Sequence, residues 1–150
     1  GVNKTIAIQK AVDILDQFGL KEIAGMHPHS LSRSMRQVIA LASVLVTEPG
    51  ILILDEPTRT MDDGLIELSM AIIKKYIKKN GSAVIISHDP SVIWNYTDRC
   101  LLMNNGEIKA SGSTAEILKD LNALISCGLN EHPFISALLR YLQRKPCPIC

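Results

Sequence analysis

Apolar residues recur with two distinct spacings along this chain, and the spacings predict its elements. Ile51-Leu52-Ile53-Leu54 is an unbroken apolar run that stops at Asp55 and Glu56. Such a run predicts a strand buried on both faces of a parallel sheet. Ala83-Val84-Ile85-Ile86 predicts a second strand of the same kind. Between them, Asp62 to Lys79 carries Leu65, Leu68, Ile72, Ile73, Tyr76 and Ile77 at helical spacing, which predicts a crossover helix and one βαβ unit. Upstream, Ile8, Ala11, Val12, Leu15 and Phe18 mark one face of a helix over residues 4 to 18, with Gly19 as its stop signal. Ser32 is placed to cap a second helix containing Val38 to Leu45.

Downstream, Asp89-Pro90 opens a short helix to about Tyr96. Arg99–Met103 and Glu107–Ala110 form a hairpin about Asn104-Asn105-Gly106. Ser113-Thr114-Ala115-Glu116 is a capping box, predicting a helix that runs to about Ser126. A last helix is expected from Pro133 to Arg144.

Composition narrows the function classes. A net charge of +1 creates no field that favours nucleic acid or an anionic membrane, and no stretch approaches the ~20 apolar residues of a membrane span. Cys100 and Cys127 lie in apolar contexts and read as small core residues of a reducing compartment. Cys147-Pro148-Ile149-Cys150 has the spacing of half a zinc knuckle, but no matching pair completes four ligands, so a tail with free thiols is expected. His27-Pro28-His29 reads as an extended loop because the proline separates the two imidazoles. The lysines at 74, 75, 78 and 79 complement the carboxyl end of their helix.

The candidate chemistry gathers at the strand ends. In open α/β sheets ligands bind beyond the carboxyl ends of the strands. There Asp55 can serve a metal ion while Glu56 orients a water or takes its proton. His88 follows the second strand and is expected near that pair. The unpaired N–H groups of the helix that Ser32 caps offer an anion site.

The order of these parts resembles the ABC transporter ATPases over roughly residues 5 to 120. Leu31 to Gln37 falls at the family's signature motif, Ile51 to Glu56 at the Walker B strand, Thr60-Met61-Asp62 at the D-loop and His88 at the switch histidine. Cys127-Gly128-Leu129 and Pro133-Phe134-Ile135 are similar to the tail of energy-coupling-factor importer ATPases. The resemblance implies an α/β fold: an incomplete RecA-like (P-loop NTPase-like) parallel-sheet core with part of the ABC helical subdomain at the N-terminus. It divides the chain into an ATPase portion over residues 1–120 and a helical extension over 121–150.

It also implies roles. Asp55 would hold Mg²⁺, Glu56 would polarise the attacking water, and His88 would contact the γ-phosphate of ATP. Ser32, Arg33, Ser34 and Met35 would face nucleotide held by a partner subunit, and Asp62 would link the two sites. The implied partners are a second ABC ATPase subunit, in a homo- or heterodimer, and an integral membrane transporter component, with no nucleic acid. The implied location is cytoplasmic, peripheral on the inner face of the cell membrane. Small-solute uptake is the expected role.

Two departures qualify it. No Gly-x-x-x-x-Gly-Lys-Ser/Thr loop occurs in the chain, so the expectation is the C-terminal part of the domain, not competent alone. Arg33, Ser34 and Met35 stand where the signature normally has two glycines and a glutamine. Two further readings stay open: a lobe of an SMC-type DNA-associated ATPase, which expects a long heptad coiled coil before the signature, and a non-catalytic protein that keeps the fold.

Overall fold

The computed structural model describes residues 3–129 and 133–144, and the chain divides between Ile86 and Ser87 into two compact units. The Cys147 and Cys150 pair lies outside the described residues.

In the first unit, helix α1 spans Lys4–Gln17 and closes on Phe18, which is buried, before Gly19 turns the chain with a positive φ. The expected apolar face is only half-buried: no residue of α1 is fully buried, and Ile6 and Ile8 are exposed. Only the later turns carry half-buried positions, at residues 11, 12, 14 and 15, so spacing located the stripe but not the neighbour needed to cover its beginning. His27-Pro28-His29 enters a 3₁₀ turn over Pro28–Ser30 instead of an extended loop, with the His27 ring capping it and stacked on His29.

Helix α2 spans Arg33–Leu45, and the Ser32 hydroxyl accepts a hydrogen bond from the Met35 N–H as predicted. Its inner face buries Val38, Leu41, Ala42 and Leu45, an i, i+3, i+4, i+7 stripe. Strand β1 (Ile51–Asp55) pairs in parallel with β2 (Ser82–Ile86), with Ile51 opposite Ser82 and Asp55 opposite Ile86. Helix α3 (Asp63–Asn80) connects them, completing the βαβ unit.

Burial corrects two expectations. Strand β1 is covered on one face only: Leu52 is 1% exposed, whereas Ile53 is 70% exposed. The register places Ile51, Ile53, Val84 and Ile86 together on the open face. An apolar run is compatible with two covered faces but cannot supply the second cover. In α3 the inner face is centred on Ser69, Met70, Ile72 and Ile73, while Leu68 lies outside it and is exposed. Ser69 hides easily because its hydroxyl donates to the Met61 sulfur at 3.5 Å.

In the second unit, α4 (Pro90–Tyr96) is capped by Asp89, and β3 (Arg99–Asn104) pairs with β4 (Glu107–Ser113) antiparallel. Asn105 and Gly106 both have positive φ, the geometry of a type I′ turn. The capping box is present, but its helix is short. Helix α5 covers only Thr114–Ile117, and α6 (Leu121–Ser126) restarts after Asp120, whose carboxylate accepts from the Asn122 and Ala123 N–H groups. An aspartate with a side chain able to cap interrupts what apolar spacing alone reads as continuous. Helix α7 covers Pro133–Arg144 as expected.

The core of this unit joins Cys100, Leu102, Ile117, Leu118, Leu124 and Ile135, with Trp94 and Phe134 packed against it. Burial, and secondarily the neighbouring Cys127, push the Cys100 thiol up, so it packs as a neutral hydrophobe. Side-chain and then backbone hydrogen bonds from Ser113 hold the Glu116 carboxyl below its ordinary range, so the capping box is intact at neutral pH and weakens on acidification.

Gly81 links α3 to β2 with φ +144, and a Cβ there would meet the Gly50 carbonyl oxygen at 1.9 Å. The Gly50 oxygen accepts the Ser82 N–H at 3.2 Å, the contact that starts the strand pairing. Gly81→Ala is therefore expected to destabilise the chain by about 2 kcal/mol or more. Urea denaturation is the check, and an unchanged midpoint would refute the tight approach.

Candidate functional site

The strand-end acids sit where strand β1 gives way to a turn. Asp55 ends β1 with an exposed side chain, and Glu56 follows half-buried. Glu56 has φ +46, a left-handed conformation that is costly for a residue with a Cβ, of order 1–2 kcal/mol. Neighbouring contacts hold it there. Its N–H donates to the Ile86 carbonyl at 2.9 Å, extending the β1–β2 pairing by one bond, and its own carbonyl accepts from the Arg59 N–H at 3.3 Å. Pro57 and Thr58 then turn inward and are buried. The strand cannot continue, and the two carboxylates are displayed at its carboxyl end.

Helix α2 is tied to this turn by two side chains. Ser34 Oγ donates to the Thr60 carbonyl, and Gln37 Nε2 donates to the Glu56 carbonyl at 3.5 Å. The helix opening and the acidic turn thus form one hydrogen-bonded assembly within the first unit. Gln37 and Thr60 were not among the sequence-derived candidates. Their positions inside the two motif stretches were the only signal for them, because a backbone carbonyl as partner leaves no trace in residue type.

The remaining candidates have identifiable local roles. Ser32 accepts from Met35 N–H, which leaves its own hydroxyl proton available to a phosphate oxygen. Ser34 has already committed its proton to Thr60, so it offers a phosphate only lone pairs. Arg33 is exposed and Met35 half-buried at the first turn of α2. Asp62 caps α3, its carboxylate accepting from Leu65 N–H at 2.9 Å. His88 belongs to the second unit, two residues beyond the end of β2, and its ring is exposed.

Among the described residues no three His, Cys, Asp or Glu side chains converge on one point. A single exposed carboxylate such as Asp55 suits Mg²⁺, which keeps several waters and takes one or two protein carboxylates alongside substrate phosphates. Zinc takes three or four protein ligands, and no such set converges here among the described residues.

The ABC transporter family model matches residues 3–59. The chain is 36% identical over 141 residues to the energy-coupling factor transporter ATP-binding protein EcfA1 of Leuconostoc mesenteroides, covering 92% of this chain and 51% of that protein. It is 31% identical over 123 residues to the methionine import ATP-binding protein MetN 1 of Oceanobacillus iheyensis, covering 81% of this chain and 36% of that protein. The fold matches an ATP-binding cassette of an ABC transporter solved in its ADP conformation, with TM-score 0.73 and 23% identity, over 87% of this chain and 52% of that one. Across the first curated relatives, the matched stretch spans from 20% to 54% of their length.

The local roles of these side chains can be separated from any ligand. Asp62→Ala should cost about 1 kcal/mol by uncapping α3, whereas Asp62→Asn should retain most of that stability, since asparagine caps comparably. Thermal unfolding distinguishes the two. Equal losses in both variants would show that the carboxylate charge, and not the cap, is what matters.

Proposed function

Because the chain belongs to the ABC transporter ATP-binding family, we propose that it supplies the hydrolytic strand end and the trans-acting signature of an importer's ATP-binding subunit. The proposed role is to couple ATP hydrolysis to small-solute uptake, with the subunit paired to a second ATPase subunit and peripheral to a membrane transporter component on the cytoplasmic face. No helix among the described residues is long and apolar enough to cross a membrane. The observation that carries this reading is the acidic turn: Glu56 held in a left-handed conformation at the end of a parallel strand and hydrogen-bonded to the signature helix. Strained, over-determined positions of this kind concentrate at functional sites.

The chain's own residues then divide the work. Asp55 would hold Mg²⁺ through its exposed carboxylate.

 

That ion would neutralise charge developing on the phosphates during transfer. Glu56, one residue on, orients the attacking water and takes its proton. Ser32 offers its hydroxyl proton to a phosphate oxygen across the dimer, with the N–H groups of the first turn of α2 aimed the same way. His88 contacts the γ-phosphate, and Asp62 relays between the two sites while capping α3.

The chain contains no Gly-x-x-x-x-Gly-Lys-Ser/Thr loop, so the phosphates must be cradled by residues outside this sequence. By itself the chain should not bind Mg-ATP at micromolar concentrations by calorimetry. Fused behind the P-loop half of a related ATPase, it should hydrolyse ATP. Glu56→Gln in that fusion should keep nucleotide binding but slow turnover by about two decades or more, the scale of a lost general base. Unchanged turnover would remove Glu56 from the assigned role.

Arg33 and Ser34 carry Cβ atoms where close approach to phosphate calls for glycine. The homodimer of such a fusion should therefore turn over slowly. Arg33→Gly with Ser34→Gly and Met35→Gln should raise its steady-state rate, because reactive geometry is sensitive to displacements near 1 Å. High activity that does not change on substitution would show that the departures are harmless.

A further inference from the structure

Away from the strand end, the first unit contains a cleft of 280 Å³ between α1, the end of α2 and α3. Its floor is apolar, formed by Ile14, Leu45 and Ile72, with the Tyr76 ring alongside. Tyr76 is fixed in place because its hydroxyl donates to the Pro49 carbonyl at 2.7 Å. The rim is charged. Lys10 reaches across from α1 to Glu48 at 3.2 Å, which neutralises the acid at the cleft edge. Glu48 itself has φ +51, a backbone conformation held at this edge despite its Cβ.

Lys75 and Lys79 stand one helical turn apart on α3, both line the cleft, and neither makes an ion pair among the described residues. The rim thus has a net positive charge left over after the Lys10–Glu48 pair, above an apolar floor. The residues of the hydrolytic turn do not line it.

The geometry points to a binding site for a small anionic amphiphile, with its phosphate or carboxylate on Lys75 and Lys79 and a short apolar body on Ile14, Leu45 and Ile72. The volume of 280 Å³ falls just below the roughly 300–1,000 Å³ of small-ligand pockets, which selects a short apolar body. With the tyrosine fixed and Glu48 paired to Lys10, Lys75 and Lys79 are the cationic side chains of the described rim that have no ion pair.

The test titrates hexyl phosphate into the 150-residue chain by calorimetry, with inorganic phosphate and hexanol as the separate halves of the ligand. Saturable binding of hexyl phosphate at about millimolar concentration is expected, as befits a ligand of so few atoms. Each half alone should bind at least tenfold more weakly. Lys75→Ala with Lys79→Ala should weaken hexyl phosphate about tenfold, the worth of charge-assisted hydrogen bonds. Lys74→Ala with Lys78→Ala removes the same charge from the same helix outside the cleft, and should change binding less than twofold.

Equal losses in the two double variants would reduce the effect to general electrostatics and overturn the site, as would inorganic phosphate binding as tightly as hexyl phosphate or the absence of saturable binding. Phosphatidylglycerol vesicles distinguish the sources. Vesicle binding that disappears with Lys75 and Lys79 assigns a lipid headgroup, and vesicle binding that is absent or unchanged assigns a soluble anion.

Discussion

The parallel pairing of β1 with β2 is the constraint on which the first unit depends. Five residue pairs from Ile51–Ser82 to Asp55–Ile86 fix the register, and the bond from Glu56 N–H to Ile86 carries it one residue past the strand. That bond holds Glu56 in its left-handed conformation and so ends the strand in a displayed pair of carboxylates. Pairing begins just as tightly at the other end, where Gly81 passes against the Gly50 carbonyl. A slip of one residue would move Leu52 and Leu54 to the open face and turn the acidic pair away from its present position.

The signature helix depends on the same turn. Ser34 and Gln37 both donate to backbone carbonyls of the acidic segment, so α2 is anchored to the place where hydrolysis is proposed. This anchoring has a chemical consequence for the signature. Ser32 keeps a donatable proton after capping α2, while Ser34 does not. Of the two serines, Ser32 is therefore the one whose hydroxyl proton is not used within this assembly, a distinction that residue type alone could not make.

The open face of the β1–β2 pair carries Ile51, Ile53, Val84 and Ile86, and the β3–β4 hairpin exposes Leu101, Met103 and Ile108. Contiguous exposed apolar residues of this kind ordinarily mark surfaces that meet further protein. The relatives matched here are longer than this chain, and their ATP-binding role belongs to the whole of each.

The sequence by itself determined the elements whose signals are local. The Ser32, Asp89 and Ser113 caps, the Asn105-Gly106 turn and the parallel βαβ unit are set by side chains acting within a few residues or by strong apolar runs. The ordered motifs also identified the family and the positions of Asp55 and Glu56. Tertiary structure decided the rest. It left one face of β1 open, centred the buried side of α3 on Ser69 and Met70 instead of Leu68, exposed Ile8, and let Asp120 break the helix that spacing had drawn to Ser126. It also recruited Gln37 and Thr60 to the acidic turn. The physical reason is common to all of these: periodicity reports which residues can be buried or bonded, whereas burial and bonding need a partner from elsewhere in the fold.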